Sequence, residues 1–371
     1  MDAFVTGAKP LVKKTASEQR REAQKSLPWV EKYRPRTVEQ LSYQQEVVAV
    51  LQKCIAGSDL PNLLFYGPPG TGKTSAILAA ARQMFGPQLW SKRVKELNAS
   101  DERGIQVVRE QIKEFAKGAV SATERRKEGG AVVPPLKLII LDEADSMTAA
   151  AQAALRRTME RESRTTRFCL VCNYVSRIID PITSRCAKFR FKPLSREAQR
   201  ERLEFIVKEE GVKIEGDALD SLIECCSGDL RKAITYLQSA SKFHIGGGEV
   251  IRRADVRELA GVIGEEAMDA LLKACKTASF ELVENAVQDL AREGHSANQL
   301  LLQLHDRTLS DENLDDLQRA EILYKIGLCE SRLLDGASEY IQSLDAAATA
   351  MLQYAAAGNS SQPQPLAMDT S

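Results

Sequence analysis

The chain has 371 residues, and its 51 lysines and arginines balance 51 aspartates and glutamates, so no global charge draws it to nucleic acid or to an acidic surface. A nucleic-acid partner would have to be met by a local basic stripe. The length predicts two or three hydrophobic cores, and eight cysteines without a signal peptide or a membrane-length apolar run predict reduced thiols in the cytosol or nucleus.

In chain order, residues 1–25 carry Lys9, Lys13, Lys14, Arg20, Arg21 and Lys25 with few large apolar groups. Such a segment cannot bury enough surface to offset ordering entropy, and it reads as a disordered, mildly basic arm. Residues 26–192 alternate β-like runs (62–66, 94–98, 136–142, 168–173 and 187–191) with helical patterns. That alternation predicts an α/β domain with a parallel sheet covered on both faces. Of the 13 prolines, none falls between residues 194 and 362, so the rest reads as helical. The glycines at 246–248 and G-V-I-G at 261–264 divide a small helical domain, 193–262, from a terminal all-α domain, 263–357. Helices of the terminal domain are expected at 265–276, 279–293, 296–308, 315–334 and 338–355. Residues 358–371 read as a second disordered tail.

The run G-P-P-G-T-G-K-T, Gly67 to Thr74, follows an apolar strand and opens a helical pattern, the context of a P-loop. Gly67, Pro68, Pro69, Gly70, Thr71, Gly72 and Ser75 would shape a phosphate cradle at a helix N-terminus. Lys73 would reach the β- and γ-phosphates, and Thr74 would ligate Mg2+. The strand L-I-I-L-D-E-A-D then supplies Asp142 to hold the metal through water and Glu143 to polarise the attacking water. Asn173, ending the next strand-like run, reads as a sensor of the γ-phosphate, and Arg231, in the first turn of the helix opened by G-D-L-R, as a cation aimed at phosphates. The acidic motif also matches helicases named for those letters, but they need a second strand-rich nucleotide fold, which the helical half lacks. Cys169 and Cys172 form a C-x-x-C inside a strand pattern with no second pair at zinc spacing, and they read as buried thiols.

P-loop, D-E-A-D, Asn173, S-R-C and G-D-L-R occur in the order of AAA+ clamp-loader ATPases. W-V-E-K-Y-R-P (29–35), N-A-S-D-E-R-G-I (98–105), L-D-E-A-D-S-M-T and I-T-S-R-C make the chain resemble the small subunits of replication factor C over about residues 28–356. The resemblance implies a nuclear ATPase subunit that works with one large and three other small subunits, with 193–262 as its lid and 263–357 as its collar. Together they would open a ring-shaped sliding clamp, load it on primer-template DNA and release it on hydrolysis. It implies that Val30 and Arg34 pack around the adenine and neighbouring phosphates, and that Arg185 of S-R-C completes the ATP site of the adjacent subunit. Otherwise Arg185 is a surface cation paired with a local acid such as Asp180. For DNA it points to Arg103, Ile105 and Arg109 at a helix start, with Arg177 on the same face; the alternative is a solvated charged helix. An unfoldase is disfavoured because N-A-S-D-E-R-G-I lacks the aromatic of a pore loop. A ring scaffold that binds ATP without hydrolysing it stays as a second reading. The charged insert 124–130 is assigned no role.

Overall fold

A computed structural model of the protein describes residues 27–41, 44–57, 59–100, 105–118, 134–243 and 250–360. The basic arm, the insert 124–130, Arg103, the glycines 246–248 and tail residues from 361 lie outside them.

The expected β-like runs form β1 (Leu63–Tyr66), β2 (Val94–Asn98), β3 (Lys137–Asp142), β4 (Thr166–Cys172) and β5 (Ala187–Arg190). They make one five-stranded sheet in the order β2-β3-β4-β1-β5, with every pairing parallel. Side chains alternate faces along a strand, so the inner strands of a sheet covered on both sides must be largely apolar at successive positions, while the edge strands β2 and β5 keep Lys95, Glu96, Lys188 and Arg190. Phe168, Leu170 and Cys172 accordingly enter one core with Leu64, Ile139 and Leu141. Cys169 and Val171 enter the opposite core with Leu63, Phe65, Leu138 and Ile140. The two thiols of the C-x-x-C thus lie on opposite faces and cannot share a ligand. Burial raises the thiol of Cys169 well above its ordinary range and that of Cys172 to about 12.

The helices of this region are α1 (Trp29–Lys32), α2 (Gln45–Ile55), α3 (Lys73–Arg93), α4 (Ile105–Lys117), α5 (Ala149–Arg161) and α6 (Asp180–Thr183). They are followed by α7 (Arg196–Glu210), α8 (Gly216–Cys226), α9 (Leu230–Phe243) and α10 (Arg253–Leu259). Two local features fix the ends of α7: the Ser195 hydroxyl accepts from the Ala198 amide at 3.3 Å, and Gly211 stops the helix at φ 65°. In α3, Gly86 at φ 68° followed by Pro87 interrupts the helical backbone.

Contacts group the chain into two compact units. One runs to Val212 and adds Cys226–Gln238; the other comprises Lys213–Cys225 and the chain from Ser239. The expected lid segment 193–262 is therefore shared out, with α7 and most of α9 packed in the unit that holds the sheet. In the second unit follow α11 (Glu265–Lys276), α12 (Phe280–Arg292), α13 (Ala297–Ser310), α14 (Asp316–Leu334) and α15 (Glu339–Ser360). Helical periodicity places Val283, Val287 and Leu290 on one buried stripe of α12, within a core that includes Leu271, Leu304, Ile322 and Ala347. The last helix continues through Gly358, Asn359 and Ser360, which composition had assigned to the tail. Backbone hydrogen bonding propagated from a long packed helix overrides the weak helix propensity of those residues.

Candidate nucleotide site

The chain leaves β1 for the far edge of the sheet, returns through β3 to β4, and passes over β1 to β5. The carboxyl ends of β1 and β4 thereby become neighbours, with Tyr66 opposite Cys172. Parallel sheets bind ligands at such a reversal, outside the carboxyl ends of the strands. The P-loop leaves β1 at this point, Asp142 closes β3, and Asn173 is the first residue past β4.

Gly67 has φ 141°, and a Cβ there would lie 2.2 Å from the Phe191 carbonyl oxygen, so only glycine lets the loop turn against the edge of β5. Gly70 at φ 70° would bring a Cβ to 1.8 Å from Asp229 Oδ1, which ties the loop to the start of α9. Asp229 also accepts the Lys232 amide at 3.1 Å, the capping role expected of an acid at a helix start.

Lys73 is 7% exposed, and its ammonium uses its donors on the carbonyls of Gly67 and Pro68, both at 2.7 Å, and on Asn173 Oδ1 at 2.9 Å. Desolvation lowers its pKa, with Asp142 acting in the opposite sense. The Thr74 hydroxyl donates to Asp142 Oδ2 at 2.8 Å. A hydroxyl and a carboxylate in contact are the hard oxygen donors that fit Mg2+. Glu143, solvent-exposed, follows with its backbone in the left-handed region at φ 52°, its amide donating to Asp142 Oδ1 at 3.0 Å. For a non-glycine residue this conformation is strained, and strain of this kind concentrates at sites that must aim a side chain.

Residues far apart in sequence line one pocket: Val30 and Arg34, the loop from Pro69 to Ser75, Asp142, Glu143, Asn173 and Arg231. Arg34 Nε donates to Ser75 Oγ at 3.2 Å. Sequence reasoning missed Asp145, whose Oδ2 accepts the amides of Asn173 at 3.1 Å and Tyr174 at 3.2 Å and so fixes the backbone that presents Asn173. Its signal was the last letter of D-E-A-D. Tyr33 of W-V-E-K-Y-R-P and Leu230 of G-D-L-R also line the pocket, as do Arg202 and Ile234, which no local motif announced.

Arg185 lies apart from that pocket. Its guanidinium donates to the Pro181 carbonyl and pairs with Glu160 Oε1, both at 2.7 Å, and the side chain is 40% exposed. The local acid is therefore Glu160 rather than the expected Asp180, because α5 packs alongside α6 and carries Glu160 to it. Gln152, 2% exposed, holds the preceding segment by donating to the Arg177 carbonyl at 2.9 Å and accepting the Ile179 amide at 2.8 Å. Arg177 is exposed, 5.3 Å over the Tyr174 ring. Ile105 and Arg109 fall in the first turns of α4.

The helical terminal domain decides which nucleotide-binding family this is. Residues 263–349 match the replication factor C C-terminal domain, 63–194 the ATPase family associated with various cellular activities, and 201–242 an AAA+ ATPase lid domain. The chain is 56% identical over 329 residues to a human protein, replication factor C subunit 4, covering 89% of each chain. The chain belongs to the replication factor C family. A Schizosaccharomyces pombe relative named replication factor C subunit 2 is 51% identical, with 91% of this chain and 96% of that one covered. Arabidopsis thaliana replication factor C subunit 4 is 50% identical, with 88% and 95% covered. Membership in replication factor C accounts for a P-loop sheet and a helical terminal domain on one chain. No described helix is long and apolar enough to cross a membrane.

Proposed function

We propose that this chain is an ATP-hydrolysing subunit of a replication factor C clamp loader, working in the nucleus on primer-template DNA with a ring-shaped clamp, one large and three other small subunits. The observation that carries the catalytic part is the convergence of Lys73 with Asn173 and of Thr74 with Asp142 at one sheet edge. The division into an α/β domain (26–192), a lid (193–262) and a collar (263–357) belongs to the same reading.

Lys73 and the loop amides at the start of α3 hold the phosphates of ATP. Thr74 and Asp142 would hold Mg2+, which when bound would supply charge neutralisation at the phosphate oxygens. Glu143 accepts the proton of the attacking water, a role open to an exposed carboxylate one residue beyond the metal-holding one. Asn173, seated by Asp145, orients that water or the γ-phosphate, and Arg231 approaches the phosphates from α9. Arg185 acts on ATP bound by the adjacent subunit, where a cation stabilises the charge that develops during transfer. DNA is met without base choice by phosphate contacts from Arg103, Arg109 and Arg177, with Ile105 resting against the sugar-phosphate edge.

The competing reading, a subunit that binds ATP and only lends Arg185, makes a different forecast. In the assembled complex, Glu143→Gln in this chain alone should remove one share of ATP turnover. Unchanged turnover would favour the non-hydrolysing scaffold.

A further inference from the structure

The segment that forms the outer wall of the pocket has little structure of its own. Helix α1 is four residues long and buries none of them. What fixes it comes from elsewhere in the same unit. Arg34 reaches the start of α3 through Ser75, at 3.2 Å. In the other direction, the Trp29 amide donates to Gln238 Oε1 at 3.1 Å, and the Tyr33 ring meets Phe205 edge-on with centroids 6.1 Å apart. Arg202 donates to the Tyr33 carbonyl.

The strongest tie is at Glu210. Its Oε1 accepts from Lys32 Nζ at 2.6 Å and from the Tyr33 hydroxyl at 2.7 Å, and its side chain is 17% exposed. Glu210 is the last residue of α7, directly before the left-handed Gly211. A carboxylate at that end of a helix is repelled by the macrodipole, so its placement is unfavourable unless a cation faces it. The hydrogen bond to Glu210 holds the Lys32 ammonium above its ordinary range despite desolvation. Burial, then the same carboxylate, raises the Tyr33 phenol.

We infer that Glu210 is a positioning residue for nucleotide binding: it latches the Trp29–Arg34 segment to α7 and so sets the wall that Val30, Tyr33 and Arg34 present to the base and ribose. This rests on the reading of the pocket as an ATP site. Glu210 touches no part of the P-loop: it holds the segment at Lys32 and Tyr33, while the segment's hydrogen bond to the P-loop runs from Arg34 to Ser75, so loss of the latch acts first on the wall around the base and ribose. That asymmetry makes the latch distinguishable from a general structural role.

The test measures equilibrium binding of ATP and of inorganic tripolyphosphate to the full-length chain, with wild type, Glu210→Ala and Glu210→Gln compared. Glu210→Ala should weaken ATP about tenfold, the loss expected of one charged hydrogen bond, and leave tripolyphosphate unchanged. Glu210→Gln, which keeps an acceptor oxygen without the charge, should recover part of the ATP affinity. Equal weakening of both ligands, or unchanged ATP affinity in both variants, would overturn the latch alone. A wild-type chain that binds neither ligand would overturn the ATP reading and the latch with it.

Discussion

At the carboxyl edge of its sheet the α/β unit presents polar groups: Glu143, Asn173 and Arg231 are all exposed around a buried Lys73. The helical unit does the reverse. It exposes Leu317 (74%), Tyr324 (71%) and Leu334 (84%) on α14 and Leu352 (61%) on α15, while its polar side chains tie helices together. Asp311, for instance, takes Tyr354 Oη at 2.9 Å, Lys276 Nζ at 3.1 Å and the Asn313 amide at 3.0 Å. A surface left polar around a cradle suits a small charged ligand, and one left apolar along a helix suits another protein chain. On the proposed function, the first unit is completed by nucleotide and the second by other subunits. Arg185, exposed and outside its own chain's pocket, lies in the first unit, and its proposed role in trans needs the assembly that the second unit's apolar face would serve.

The comparison breaks most readily at Arg185. Arg185→Ala should leave ATP binding by this chain unchanged and slow hydrolysis at the adjacent site of the assembled complex by about a thousandfold; equal loss of ATP binding by the isolated variant would refute the trans role. Glu143→Gln should lower the turnover of this chain's own site by roughly 10²-fold or more, with ATP affinity held within about threefold, read by single-turnover hydrolysis beside equilibrium binding. Asp145→Ala, which frees the Asn173 backbone without touching nucleotide, should cost on the order of tenfold in turnover with little change in affinity, measured by the same pair of assays.

The remaining tests sharpen the other side. Leu271→Ala, in the helical core, should lower stability in urea by about 3 kcal/mol without altering ATP affinity per folded molecule. By contrast, Leu317→Ser with Tyr324→Ser, seven residues apart on one stripe of α14, should change the chain's own stability by only about 0.5 kcal/mol each yet reduce its incorporation into the complex, followed by size-exclusion chromatography. Asp311 supplies a pH signature. Burial alone would raise its carboxyl, but hydrogen bonds from Asn313, Tyr354 and Lys276 outweigh that and hold it at about 2. Its contribution is full above the unfolded carboxylate range, near pH 4, and is lost as pH falls toward 2. Asp311→Asn should therefore lower Tm at pH 6 by a few degrees and narrow the gap to wild type at pH 3.

Much of the site was legible because its chemistry is local in sequence. Glycine spacing from Gly67 to Gly72, Lys73 with Thr74, and Asp142 with Glu143 each sit on a strand end or a helix start, and apolar strand patterns located those ends. The collar helices were legible for the same reason, since periodicity is carried within each helix. Asp145 is marked in the sequence as the last letter of D-E-A-D, but its role, accepting two backbone amides from the loop after a neighbouring strand, is set by the tertiary structure. The partner of Arg185 was misjudged on the same account, because nearness along the chain favoured Asp180 while helix packing delivered Glu160.

The amino-acid order alone determined the α/β-then-helical plan, the phosphate loop and the acidic pair. These rest on steric and hydrogen-bonding preferences that act over a few residues. Only the tertiary structure decided that Lys73 meets Asn173 across 100 residues, that α7 packs in the same unit as the sheet, and that Glu210 takes both Lys32 and Tyr33. Those contacts depend on strand order and helix packing. They arise from burying two faces of a sheet at once, a condition on the whole unit and not on any segment of it.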